Sequence, residues 1–310
     1  MNNPVRFAPR SARTSDVSGI LLLDKPAGIT SNRALQRARK VFSGAKAGHT
    51  GTLDPLASGL LPICFGEATK FSQSLLDSEK TYEAIVHLGW RSSTGDAEGE
   101  LTEGAAPNVS DARLDELAGQ FSGDVSQVPP MYSALKRDGK PLYQLARQGV
   151  TVDREARTVH IRRLCVSRLD QDRLALLVTC SKGTYIRVLA EDIGEALGCG
   201  AYLEKLRRTA VAGFDLGRAV TLESLETMAP DQRCGLLQPV DAMVSSLPRV
   251  ELGRTEAERI RQGQATAMAM HSPGTGSVRL YGPEETFIGI GELRDDGLVH
   301  PKRLVSQAFE

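Results

Sequence analysis

The stretch Gly48-His49-Thr50-Gly51-Thr52-Leu53-Asp54-Pro55-Leu56-Ala57-Ser58-Gly59-Leu60-Leu61-Pro62 breaks any regular element that would run through it. Gly48, Gly51 and Gly59 admit backbone conformations and close approaches that side chains block. Pro55 fixes the bond after Asp54 and disfavours helix at Asp54 itself. The stretch therefore reads as a constrained active-site loop that holds one carboxylate, Asp54, in a fixed direction. The competing reading of an aspartate before proline is an ordinary turn former.

The rest of the chain must supply a core around that loop. At 310 residues it exceeds the usual size of one hydrophobic core, which implies a large domain and a smaller one. Hydrophobic residues at 41% and charged residues at 25% exclude a disordered or fibrous class. The longest apolar runs, 20–23 and 174–178, are strand-sized, so a soluble protein with no membrane partner is expected. Residues 1–18 carry Arg6, Arg10 and Arg13 with Pro4 and Pro9 and lack a secretory apolar core, which suggests a flexible basic tail. Cys64, Cys165, Cys180, Cys199 and Cys234 are scattered with no C-x-x-C pair, so neither a disulfide framework nor a zinc site is indicated and a cytoplasmic location is expected.

Formal net charge is zero, yet charge is unevenly spread. Across 134–168 stand nine basic residues (Lys136, Arg137, Lys140, Arg147, Arg154, Arg157, Arg162, Arg163, Arg168) against Asp138, Asp153 and Glu155. Such a stripe suits a phosphate backbone, and equally a solvated charged surface.

In chain order, 20–23 reads as a buried strand, and Thr30 or Ser31 caps a helix with Leu35, Ala38 and Phe42 on one face. Ala68, Phe71 and Leu75 mark a further helix. The alternation over 80–89 puts Tyr82, Ala84, Val86 and Leu88 on one side of a strand. A loop over 91–99 precedes a helix capped by Ser110, and the proline-rich 128–136 begins an excursion from the core with a short helix near 143–148. Two antiparallel strands, 159–169 and 173–181, lead to a helix with Ile186, Leu189, Ile193 and Leu197 on its apolar face. Next come 203–208, a strand-like 209–214, a helix capped by Thr221 and a linker-like 239–248. The helix at 255–261 and short strand candidates beyond it suggest a small β-rich domain.

Several side chains are candidates for chemistry. Arg187, at a strand-to-helix junction, suits a guanidinium that keeps Asp54 charged; it also suits a surface position. Tyr82 and Tyr185 offer stacking faces for an unpaired base, or are core aromatics. His49 has no cysteine or second histidine beside it, which leaves stacking or hydrogen bonding. Lys25 would also serve as a solvated turn lysine. The phosphate-binding G-x-x-x-x-G-K-[ST] and a post-strand G-x-G-x-x-G are both missing, so no nucleotide cofactor is expected.

The 48–59 motif resembles the catalytic motif of the TruB family, the bacterial tRNA pseudouridine-55 synthases. It is joined in order by Leu22-Leu23-Asp24-Lys25-Pro26-Ala27-Gly28, Lys80-Thr81-Tyr82, Pro129-Pro130-Met131-Tyr132-Ser133-Ala134-Leu135-Lys136, Lys182-Gly183-Thr184-Tyr185-Ile186-Arg187 and Leu206-Arg207-Arg208-Thr209. Gly291-Glu292-Leu293 and Pro301-Lys302-Arg303-Leu304 are similar to the RNA-binding PUA domain.

The resemblance implies an α+β fold: a mixed, mainly antiparallel sheet flanked by helices, the pseudouridine synthase fold, with a small β-rich PUA-like domain. The expected boundaries are a tail at 1–18, a catalytic domain at 19–248 with an RNA-clamping insertion at 126–158, and the PUA-like domain at 249–310. It further implies an isomerase acting on a T-loop uridine by base flipping, with the T-arm of tRNA as partner and no metal or organic cofactor, acting as a monomer. By the same resemblance Asp54 is the nucleophile, Arg187 its ion-pair partner, and Tyr82 the aromatic that stacks on the target base and assists proton transfer. His49 holds the flipped-out conformation, Tyr185 and Leu206 line the pocket, Lys25 supports the loop, and Lys136, Arg147 and Arg154 contact the RNA backbone. An RNA-binding or RNA-folding protein without chemistry is the competing class. A phosphotransferase or hydrolase is disfavoured by the lack of a second aspartate and a metal cluster.

Overall fold

A computed structural model describes residues 17–137, 139–267 and 274–306. The basic tail expected over 1–18 lies outside the described residues, save Val17 and Ser18. The elements that position the site are β1 (Gly19–Lys25), α1 (Ser31–Val41), β2 (Ala47–His49), β3 (Ser58–Phe65), β4 (Lys80–Leu88), α2 (Asp111–Gln120), β5 (Gly123–Gln127), β6 (Arg157–Arg168), β7 (Arg173–Cys180), α3 (Ile186–Ala196) and β8 (Ala201–Val211). The strands form the body of an eleven-stranded sheet whose path includes β1–β3–β8–β4–β7–β6–β5, with β2 paired to β3. Most pairings are antiparallel. The exception that matters for the site is β3 with β8, which run parallel where Gly59 meets Arg208.

The apolar run in β1 is continuous because both of its faces are covered. Leu21 and Leu23 join the main core under α1, α2 and α3, whereas Ile20 and Leu22 join a second cluster with Leu60, Phe71, Leu75 and Val211. Thr30 caps α1 by accepting from the Arg33 N–H, and Ser110 does the same for α2 at Arg113. Leu35, Ala38 and Phe42 are all buried, as their spacing demands.

The structure departs from the periodicity at four places. Ala68, Phe71 and Leu75 are buried together but not on one helix: a 3₁₀ turn (Gly66–Lys70) and a short α-helix (Ser72–Asp77) meet at Phe71, whose backbone (φ −109°, ψ 4°) is non-helical. The loop expected at 91–99 begins as a strand, Trp90–Ser92, paired with Leu101–Glu103. Residues 201–211 form one long strand, and register shifts at 203–205 and 208–210 hide its alternation. The linker-like 239–248 is packed, with Met243 and Val244 buried in the second cluster.

A five-stranded sheet follows. Its order is β9 (Arg249–Glu251), β10 (Gly276–Tyr281), β11 (Phe287–Leu293), β12 (Leu298–Leu304) and the short strand Thr266–Ala267, with a helix, α4 (Arg254–Arg261), beside it. It rests on the eleven-stranded sheet and its flanking segments through Ile290 in the second cluster, the Phe71–Phe287 ring pair at 5.5 Å and the Tyr281 hydroxyl, which donates to Asp241 at 2.5 Å. The β-rich C-terminal unit thus sits behind the sheet face opposite α1 and α3.

Candidate active site

The glycine-proline stretch resolves into two strands and a tight connection. Gly48 and His49 belong to β2, paired with Cys64 and Ile63 of β3, and the irregular segment runs from Thr50 to Ala57. Gly48 has open space around it, so its lack of a side chain is not what shapes the loop. Gly59 is different: at φ +102°, a Cβ there would lie 2.2 Å from the Arg208 carbonyl oxygen across the parallel pairing. Only glycine lets β3 and β8 approach beneath the loop.

Buried polar groups hold the loop. The Ser31 hydroxyl, at the start of α1, donates to the Leu53 carbonyl at 2.9 Å and accepts from the Leu53 N–H at 2.8 Å. Arg208, 1% exposed, donates from Nε to the Leu60 carbonyl and from Nη2 to the Gly51 carbonyl, both at 2.8 Å. Gly28 N–H donates to the Pro55 carbonyl at 2.8 Å. Asp54 therefore stands on a backbone tied on both sides.

Arg187 meets it from α3. Arg187 Nη2 lies 3.0 Å from Asp54 Oδ2, and Nη1 lies 3.5 Å from Asp96 Oδ2. The same guanidinium donates to the Thr94 carbonyl at 3.0 Å and the Tyr132 carbonyl at 2.7 Å. Its side chain and that of Asp96 are each 4% exposed, while Asp54 keeps 37% of its side chain open. A surface role for Arg187 is thus excluded. Burial pushes the Asp54 carboxyl above its ordinary value and Asp96 adds to the rise; the charges of Arg187 and Lys25 oppose it. A carboxylate set this way is more basic than a free one and still paired with a cation.

Asp54, His49, Tyr82, Arg147, Tyr185, Arg187 and Leu206 line one cleft of about 1100 Å³. Tyr82 projects from β4 and packs partly against the main core. Burial pushes its phenol up, against the charge of Arg208, so Tyr82 is a neutral phenol at neutral pH. Burial likewise raises Tyr185, and burial followed by the Arg208 charge lowers His49, which is therefore a neutral imidazole.

Three expected residues stand apart from the cleft. Lys25 is fully buried, which removes the solvated-turn reading; its Nζ donates to the Pro26 and Ile29 carbonyls at 2.9 and 2.8 Å, and burial lowers it to about 8. It braces the turn behind the loop. Lys136 is exposed on a two-residue ribbon, and Arg154 spends Nη1 on the Pro129 carbonyl at 3.1 Å. Within the stripe, Arg162 pairs with Glu79 and Arg168 with Asp111. Asp138 lies outside the described residues.

Asp96, Arg208 and Ser31 shape the site, and reasoning from the sequence assigned none of them to it. Asp96 sits in a polar, glycine-bearing turn with no periodicity to single it out. Arg208 carried a usable signal, since it lies two residues from Leu206 on a strand and so shares its inward face. Ser31 reads only as a helix cap. Among the described residues no three His, Cys, Asp or Glu stand together as metal ligands, and no helix is long and apolar enough to cross a membrane.

Known proteins are similar to this chain in sequence and in fold. Residues 39–186 match the TruB family pseudouridylate synthase N-terminal domain, 187–245 the tRNA pseudouridylate synthase B C-terminal domain, and 248–305 the pseudouridine synthase II TruB C-terminal domain. A tRNA pseudouridine synthase B from an Azoarcus species is 55% identical over 290 residues, covering 94% of this chain and 95% of the relative. One from Ralstonia nicotianae is 54% identical over 298 residues, covering 94% and 95%. Among solved structures, a chain of a Cbf5-Nop10-Gar1 complex superposes with a TM-score of 0.69 at 27% identity, covering 88% of this chain and 78% of that one.

Proposed function

The chain belongs to the TruB family of pseudouridylate synthases, and from that premise we propose that it converts the T-loop uridine of tRNA to pseudouridine. It is an isomerase that acts on tRNA. The reaction breaks the uracil N1–C1′ bond, turns the base, forms a C5–C1′ bond, and moves the C5 proton off as N1 gains one. Atoms balance without oxidant, reductant or water.

The observation that carries the reading is the Asp54–Arg187 pair, 3.0 Å apart on the wall of a cleft furnished with aromatic side chains. Asp54 is the nucleophile in this account, ionised beside Arg187 and made more basic by burial. Tyr82 stacks on the flipped base as a neutral phenol and helps pass the proton released at C5. Tyr185 and Leu206 close the sides of the pocket, and the neutral His49 holds the flipped-out arrangement at the rim. Lys25 acts at one remove, through the turn it braces. Exposed Lys136 and Arg147 suit phosphate contacts that position the T-arm without reading sequence; Arg154 contributes chiefly by tying 126–158 together.

We place the catalytic domain at 19–248 and the PUA-like domain at 249–310, which follows the change of sheet after Pro248. A tRNA substrate and five unbridged cysteines support a cytoplasmic location. The test is to incubate the protein with an unmodified tRNA transcript, treat it with carbodiimide, and map reverse-transcription stops. A stop at the T-loop uridine is expected; none there, or one at another uridine alone, contradicts the assignment.

A further inference from the structure

The insertion at 126–158 leaves the sheet at Gln127 and returns at Arg157, and these two residues are paired on β5 and β6. Gln127 is the last residue of β5 and only 2% exposed. Its side chain grips one residue of another element by both backbone groups. Gln127 Oε1 accepts from the Tyr185 N–H at 3.0 Å, and Nε2 donates to the Tyr185 carbonyl at 3.3 Å. Tyr185 is the N-cap of α3 and supplies no side-chain cap of its own. Gln127 thus fixes the start of the helix whose second residue is Arg187.

A second tie runs from the insertion to Arg187 directly. The Tyr132 carbonyl, five residues beyond Gln127, accepts from Arg187 Nη2, the same nitrogen that faces Asp54 Oδ2. Nη2 thus donates to the insertion while it stands at ion-pair distance from the carboxylate. Nη1 donates to the Thr94 carbonyl and stands 3.5 Å from Asp96 Oδ2.

We propose that Gln127 is a positioning residue that, with the Tyr132 carbonyl, couples the placement of the insertion to the Arg187–Asp54 pair, so that turnover depends on how the insertion is seated over RNA. The proposal rests on the isomerase reading above. A seated insertion presents the Tyr132 carbonyl and keeps Nη2 aimed at Asp54; a displaced one removes that acceptor and frees the guanidinium to turn. The neck at Gln127 and Arg157 transmits the displacement because it is one paired position, bonded to the helix that carries Arg187.

The test uses the full chain and C5-tritiated T-arm RNA, with single-turnover tritium release at saturating RNA and RNA Kd measured separately. Gln127→Met keeps volume and removes both hydrogen bonds. The expected result is a release rate lower by about 10- to 100-fold, the scale of a small misplacement at a reacting centre, with Kd within about threefold of wild type. Gln127→Glu keeps the acceptor for the Tyr185 N–H and loses the donor, and should fall between the two. It carries the test alone if Gln127→Met does not fold. A rate at saturation within about twofold of wild type for the folded variant, or a defect confined to Kd, overturns the coupling. Wild-type release in the same assay separates this outcome from failure of the isomerase reading itself.

Discussion

The loop at 50–57 and the insertion at 126–158 serve one cleft and are built on opposite principles. The loop is held from behind by Ser31, Arg208 and Lys25, none more than 1% exposed, each with its polar groups directed at backbone partners. The insertion has only Gln127, Pro129, Ser133 and Leu142 buried among its described residues, and its regular structure is a two-residue ribbon and a five-residue helix. Rigidity is concentrated behind the loop. On the proposed function, the carboxylate that meets the reacting atom is fixed by buried hydrogen bonds, whereas the surface that admits a folded RNA is held through Gln127 and the Tyr132 carbonyl and is otherwise largely solvated.

Breaking the loop's support should have the larger consequences. Arg208→Met would leave the Gly51 and Leu60 carbonyls without partners and release the loop, at a cost of about 3 kcal/mol in stability. Chemical denaturation would show it, and turnover should fall with it. Arg208→Lys should recover part of both, since one ammonium can reach only some of the same acceptors. If Arg208→Met matched wild type in stability and rate, the loop would not be held in the way described. Ser31→Ala should cost about 1–2 kcal/mol by the same measurement, because the Leu53 N–H and carbonyl both lose their partner.

The acid limb of the rate profile sharpens the electrostatic side of the comparison. On the proposed mechanism only ionised Asp54 acts as nucleophile, and burial raises its pKa, so single-turnover rate should fall as pH drops through a point above the ordinary carboxylate value. Asp96 contributes to that rise, so Asp96→Asn should move the limb to lower pH. A limb that moves upward instead would contradict the sign.

On the exposed basic face of the insertion, away from Gln127, effects should be smaller and fall on binding. Neutralising Lys136 or Arg147 should weaken tRNA binding and reduce the salt slope by about 1 each, with turnover at saturation little changed. Arg154 should alter the slope least, since its Nη1 is committed to Pro129. A slope unchanged by Lys136→Ala and Arg147→Ala would return the basic stripe to a solvated surface.

Much of the catalytic domain is legible in the amino-acid pattern. Tyr82, Ala84, Val86 and Leu88 alternate because one face of β4 is covered, and Leu35, Ala38 and Phe42 repeat because α1 lies flat on the sheet. The glycine-proline segment marks the loop, although Gly48 belongs to a strand; Gly59 is required by a close approach and Gly51 by its φ of +77° beside Arg208. Contacts between distant segments leave no such trace. Nothing local says that Asp96 shares a guanidinium with Asp54, or that Gln127 grips Tyr185, 58 residues away. Between the register shifts of β8 the alternation from Leu206 to Arg208 is intact, but it places Arg208 on the inward face without saying that its guanidinium reaches Gly51, 157 residues away. The packed 239–248 resembles a linker because its short 3₁₀ turn buries only two side chains, against a partner sheet far along the chain.

On the proposed mechanism Asp54 supplies the nucleophile, Tyr82 assists the proton transfer, and the other residues of the cleft bind and orient. Tritium release from C5-labelled uridine in a T-arm stem-loop tests it most directly, with wild type and Asp54→Asn at matched RNA saturation. The account predicts release by wild type and a loss of about 10³-fold or more in the variant, with RNA still bound at near wild-type affinity. Release by Asp54→Asn at the wild-type rate would contradict it.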